Sequence, residues 1–149
     1  MTKQELKDEL KKSMLAKDTE KTGILRMVIS ALGYYEIEKG GAGYEATAED
    51  VETVMQRQAK QRRDSIEQFK AGGREELAAN EQKELDLIQQ YLPEQMSEEE
   101  VIKLVEEAIA ATGASTPQDM GKVMGVLTPK TKGKADGSFV AKTVREKLQ

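Results

Sequence analysis

Apolar residues recur three and four positions apart in seven successive stretches of the chain, and nowhere alternate with period two for long. Side chains share a face every 3.6 residues on a helix and every second residue on a strand, so this spacing predicts helices throughout. Composition agrees. Aromatic residues, good strand material, make up only 4% of the 149 residues, while Leu, Ala, Glu, Lys, Gln and Met dominate. The predicted class is all-α.

The first helix is expected over about residues 3–17, with Leu6, Leu10 and Met14 on one side. Asp18 or Thr19 caps a second over about 20–39, whose wide stripe of Ile24, Leu25, Val28, Leu32 and Tyr35 marks the main buried element. The run Gly40-Gly41-Ala42-Gly43 is a loop. Thr47 and Asp50 have capping-box spacing and open a third helix over about 48–70. Its stripe starts with Val51, Val54 and Met55 and ends with Ile66 and Phe69, interrupted by the polar stretch QRQAKQRRD. A fourth helix over 74–91 carries Leu77, Leu85, Leu87 and Ile88 and is closed by Pro93.

Pro93 marks the expected boundary between an N-terminal helical hairpin or bundle of about four helices, 1–92, and a three-helix domain, 93–149. In the second domain, Ser97 and Glu100 form a capping box ahead of a helix over 98–111. Gly113 ends it, Pro117 takes the first position of the next helix, and Pro129 breaks that one. Residues 130–137 hold too many lysines and glycines to pack, and a last helix follows over 138–148.

Chemistry is narrowed by absence. There is no Cys and no His, so thiolate zinc sites, cysteine nucleophiles, serine–histidine triads and imidazole bases are excluded. Phosphate-loop, dinucleotide and calcium-loop motifs are also missing. Most carboxylates fall at helix starts or on polar faces; Glu45, Glu49, Asp50 and Glu52, bunched at one helix start, do not converge as an octahedral Mg²⁺ site requires. No cofactor and no metal are expected. The opening MTKQELKDELKKSM lacks the apolar core of a signal peptide. The longest apolar stretch, Met27 to Tyr35, is far below the roughly 18 residues of a membrane span. A cytoplasmic protein without membrane contact is the expectation.

Charge is unevenly placed. The chain is −4 overall, yet the last 29 residues are +5. Gly121-Lys122, Lys130, Lys132-Gly133-Lys134 and Asp136-Gly137 set backbone amides and ammonium groups beside a helix N-terminus, an arrangement suited to an anion. RNA phosphate is the natural candidate. The candidate contacts are Lys122, Lys130, Lys132, Gly133, Lys134, Gly137, Lys142 and Arg145. A solvated loop in which Asp136 merely caps the last helix is the alternative, and for Asp136 itself the cap is preferred. Arg57, Lys60, Arg62 and Arg63 form a secondary basic face, read either as plain exposed helix or as contact with a charged partner, although Arg57 and Arg62 share a face poorly. Tyr35 is read as core, and Tyr44 is near enough to the Gly-rich loop for base stacking.

Two long motifs, ELDLIQQYLPEQ and MGKVMG…KGKADG, closely resemble the GatB/YqeY family, and the likeness covers nearly the whole chain. The resemblance implies a helical N-terminal domain joined to a three-helix C-terminal domain. The latter is similar to the GatB tail of the tRNA-dependent amidotransferase, which contacts tRNA while catalysis resides elsewhere. Similar modules are appended to some glutaminyl-tRNA synthetases. By resemblance, Gly121, Lys122, Gly125, Gly133, Lys134, Asp136 and Gly137 match the tail motif. The expected function is a non-catalytic, tRNA-contacting accessory module, with an amidotransferase or an aminoacyl-tRNA synthetase as possible partner. The alternatives are a protein-interaction adaptor without nucleic acid and, third, a component of a carbon–nitrogen ligase using glutamine as amido donor.

Overall fold

The computed structural model describes residues 1–149 and contains helices and connections only. Four helices come first: α1 (Lys3–Leu15), α2 (Thr19–Gly40), α3 (Ala48–Ala71) and α4 (Glu75–Gln89). Then follow α5 (Glu98–Thr112), a 3₁₀ turn at Pro117–Asp119, α6 (Met120–Thr131) and α7 (Gly137–Lys147). Contacts divide the chain into two units, Met1–Leu92 and Pro93–Gln149.

In the first unit α1 packs on α2, and α3 and α4 make the most extensive helix pair. Its core is built from Leu6, Leu25, Leu32, Val51, Met55 and Ile88, all fully buried. Each such side chain contributes about 1.5–3 kcal/mol by leaving water. Thr2 and Thr47 close capping boxes with Glu5 and Asp50, and Asp18 accepts from the Lys21 amide. These caps satisfy amides that have no partner inside their helices.

The interrupted stripe of α3 is in fact continuous. Ala59 and Arg62 complete it, both buried between Met55 and Ile66. The secondary basic face is therefore corrected: Arg62 lies on the core side of the helix, at 6% exposure, and does not share a surface with Arg57 and Lys60. The physical reason is angular. Position 62 lies about 140° around the helix from position 57, given 100° per residue.

In the second unit α5, α6 and α7 pack on one another around Val101, Val105, Val123, Leu127, Val140 and Val144. The Ser97–Glu100 capping box forms. Two expectations fail here. Pro117 opens a 3₁₀ turn, not the α-helix, which starts at Met120. Pro129 does not break α6, because it falls in the last turn, where the helix runs on to Thr131 and the Lys132 amide still reaches the Thr128 carbonyl at 2.9 Å. The ring removes the amide that would donate to the Gly125 carbonyl, yet the two residues that follow still complete the turn.

Candidate nucleic-acid interface

The basic segment is built on the end of α6. Val123 and Leu127 face inward, and the Thr131 hydroxyl turns back to the Leu127 carbonyl at 3.0 Å. Gly133 then adopts a left-handed φ of 81° and is buried. A side chain would strain that conformation, so glycine serves the turn. The Lys134 and Ala135 amides both donate to the Thr131 carbonyl, at 2.9 and 3.0 Å. Residues 130–137 thus pack as a closed turn, contrary to the expectation of an unpacked loop.

The turn is also stapled to the segment before α5. The Gln95 side-chain amide donates to the carbonyls of Gly133 and Pro93, each at 2.9 Å, and the Met96 amide donates to the Lys134 carbonyl at 2.8 Å. Between these segments lies a cleft of about 320 Å³ lined by Glu94, Gln95, Met96, Glu100, Lys130 and Lys134. Lys130 and Lys134 are exposed, stand one helical turn apart in sequence, and have no ion-pair partner. Glu100 is held by its capping bond to the Ser97 amide at 2.8 Å.

The other expected contacts are distributed differently. Lys122 sits at the opposite end of α6, eight residues or about 12 Å along the axis from Lys130. Its ammonium is 3.9 Å from Asp119. That carboxyl is held below its usual range by the Ser115 and Thr116 amides. Lys142 and Arg145 stand on the outer surface of α7, where Lys142 is 4.0 Å from Glu146 and both partners are largely exposed. Lys132 is exposed at the C-cap of α6.

Asp136 is the N-cap of α7, the role preferred for it from the sequence, and accepts from the Ser138 amide at 3.0 Å, so the protein's own carboxylate takes an amide that an anion would need. Gly137 is the first residue of α7, with φ outside the left-handed range and open space where a Cβ would stand. The lysines instead cluster at the C-terminal end of α6, where the helix dipole favours cations and weakens any pull on an anion.

The N-terminal unit holds a second polar constellation that sequence reasoning located only in part. Asp50, 3% exposed, accepts from Tyr44 Oη at 2.7 Å, Tyr35 Oη at 3.2 Å, the Thr47 amide at 3.0 Å, and Lys39 Nζ. Lys39 above all holds the Asp50 carboxyl well below the usual carboxylate range, and Asp50 in turn raises Lys39. Tyr44 packs so closely over Gly40 that an added Cβ would lie 2.7 Å from its ring. Beside it, Glu36 accepts from Lys3 Nζ at 2.8 Å and from the Ala46 amide at 2.7 Å, and Lys3 in particular lowers its carboxyl. Tyr35 and Tyr44 are clasped by this network. Its only sequence signal is the Thr47–Asp50 capping box, because the other partners of Asp50 come from up to 15 positions away and Lys3 is 33 from Glu36.

Arg62 pairs with Glu84 at 3.1 Å and reaches Met27 Sδ at 3.6 Å, which ties α3 to α4 and α2. The Arg57 guanidinium carbon lies over the Tyr35 ring, 5.2 Å from its centroid. Arg63 is half-buried, and its Nε has no hydrogen-bond partner; nor has Arg62 Nε, whose contact with Glu84 is an ion pair without hydrogen-bond geometry. Lys60 lies 3.8 Å from Asp64.

The chain as a whole is similar to known sequences. The family profile described as Yqey-like protein matches residues 3–148, end to end through both units. The chain belongs to the YqeY-like family. Among its relatives is "Altered inheritance of mitochondria protein 41, mitochondrial" of Saccharomyces cerevisiae. It is 30% identical over 128 residues, which span 82% of this chain and 68% of the yeast protein. The protein of the same description from Eremothecium gossypii is 36% identical over 87 residues, 58% of this chain and 46% of that one. The corresponding Lachancea thermotolerans protein is 33% identical over the same length. The descriptions of these relatives place them in mitochondria. In the present chain no helix is long and apolar enough to cross a membrane.

Proposed function

We propose that this YqeY-like protein is a non-catalytic RNA-binding module that contacts tRNA through its C-terminal unit. The observation that carries the reading is the +5 segment 121–149, in which Lys130, Lys134 and Arg145 are exposed without a carboxylate partner. Cations left unpaired on an acidic protein are available to phosphate, and the gain comes from released counterions. The resemblance of this unit to the amidotransferase tail supports tRNA as the RNA, and an amidotransferase or aminoacyl-tRNA synthetase as the enzyme served. A cytoplasmic place of work is part of the proposal.

With about four phosphate contacts of single-strand type, log K for tRNA falls by roughly 3 per decade of salt. A filter-binding assay compares wild type with a protein in which Lys130, Lys132 and Lys134 are all changed to Ala. The triple variant should retain less tRNA and show a shallower salt slope. Equal retention by the two proteins overturns the reading.

One observation favours a second reading, a protein-interaction adaptor. Met27, Tyr34 and Ile37 are exposed at 43%, 74% and 66% and, at i, i+7 and i+10, share one α2 face. Exposed apolar residues in such a row are the anchors by which helices dock. This face, not the basic side of α3, would meet the protein partner. Pull-down after nuclease treatment separates the readings: partners lost with nuclease favour RNA, and partners retained favour the adaptor.

A further inference from the structure

The N-terminal unit has a groove of about 240 Å³ lined by Tyr35, Glu38, Lys39 and Arg57. Arg57 is its unusual member. The guanidinium carbon lies over the Tyr35 ring, 5.2 Å from its centroid, and the group has no carboxylate partner, although carboxylates are abundant in this chain. A cation–π contact supplies no oxygen acceptor, so the N–H edge of the guanidinium is left without one. That edge is a planar fork that matches two oxygens of a phosphate.

A second cation is fixed nearby. Lys39 Nζ is 5.7 Å from the Tyr35 centroid and 5.4 Å from that of Tyr44, and buried Asp50 anchors it. The anchor keeps the ammonium in place while the Asp50 carboxylate offsets part of its charge, so an arriving anion meets one positioned N–H donor and the uncompensated Arg57 guanidinium. Preorganisation of this kind removes part of the ordering cost of binding. Glu38, exposed and without an ion-pair partner, adds an acceptor on the rim. It suits a hydroxyl group next to the phosphate. The volume is below the ~300–1,000 Å³ typical of sites that enclose whole ligands. A phosphate with its adjoining sugar fits better than a complete nucleotide.

We propose that the Tyr35–Lys39–Arg57 groove is a phosphate-binding site that takes a sugar phosphate, either free or at the end of a polynucleotide. It does not rest on the lysines of residues 121–149, and stands or falls separately from them.

The test is a ¹⁵N-resolved NMR titration of the full chain with inorganic phosphate, ribose 5-phosphate, and one short RNA in 5′-phosphorylated and 5′-hydroxyl forms. Sodium acetate at matched ionic strength is the control. Saturable shifts are expected at the amides of Tyr35, Lys39 and Arg57 with the phosphates and not with acetate. Arg57→Gln should weaken them about tenfold or more, the loss expected for a charged hydrogen-bonded contact, and Arg57→Lys, which keeps the charge without the fork, should fall between. Preference for 5′-phosphorylated RNA identifies a chain end as the source; preference for ribose 5-phosphate identifies a free metabolite. No saturable shift with any phosphate, an equal response to acetate, or an Arg57→Gln protein that titrates like wild type overturns the proposal.

Discussion

The two units solve the same packing problem with different materials. In Met1–Leu92 the buried set includes three ionisable side chains, Glu36, Asp50 and Arg62, each held by partners from other helices or loops. In Pro93–Gln149 the only buried polar side chains are Thr131 and Thr143, whose hydroxyls return to carbonyls four residues earlier in their own helices. The surfaces are reversed. All seven large hydrophobic side chains that remain exposed belong to the first unit, while the second keeps its apolar residues inside and carries unpaired cations outside. A buried charge defines which partners must meet, and an apolar core mainly supplies driving force. The first unit therefore depends on specific pairs, and the second on burial.

The largest expected effect tests dependence on burial. Leu127→Ala removes a fully buried side chain from the 57-residue second unit and should cost about 2–5 kcal/mol, enough to unfold much of so small a core. Thermal unfolding followed by NMR peaks of residues 98–148 reads it; a loss under about 1 kcal/mol would contradict the comparison.

Dependence on specific pairs predicts an asymmetry at the α3–α4 contact. Glu84→Ala leaves the Arg62 guanidinium buried beside only a thioether, and should cost about 1–3 kcal/mol. Arg62→Met fills the same space without a charge and should cost less. Urea denaturation of both variants decides, and equal losses would remove the pair from the account. Next, Ser97→Ala should cost about 1 kcal/mol by opening the α5 cap, again read by urea denaturation.

The smallest effect is one of slope. Asp50 and Glu36 titrate lower in the folded chain than in the unfolded one. Their stabilisation is therefore complete above the unfolded carboxylate value of about 4, and is lost as pH falls toward the folded values. The midpoint of the first unit should decline as pH drops from about 5 to 3, and Asp50→Asn with Glu36→Gln should flatten that decline. An unchanged slope would show that neither carboxylate is worth more folded than unfolded.

Much of this was legible in the sequence, for identifiable reasons. Helices announce themselves through local spacing, and Thr47–Asp50 and Ser97–Glu100 mark their starts within four residues. Arg62 was not legible, because a stripe read by hydrophobicity treats arginine as a gap even where its guanidinium reaches Glu84 and its stem fills the core edge. The lysines of the tail were legible as a set but not as a surface. Lys122 and Lys130 are close in sequence, yet a straight helix holds them at opposite ends. The clasp around Asp50 was half legible: its cap is local, and its tyrosines and lysine arrive from α2 and the loop after it.

The Gln95 staple has a consequence for synthesis. Its acceptor at Gly133 lies 38 residues downstream, so the lead-in to α5 has no fixed seat until that glycine has left the ribosome. At about 5–20 residues per second this is a wait of roughly 2–8 s. The first unit, whose last residue is Leu92, is fully made before that interval begins. A nascent chain arrested within it would display a finished front half and an unlatched rear half, and would be the form most open to proteases and chaperones.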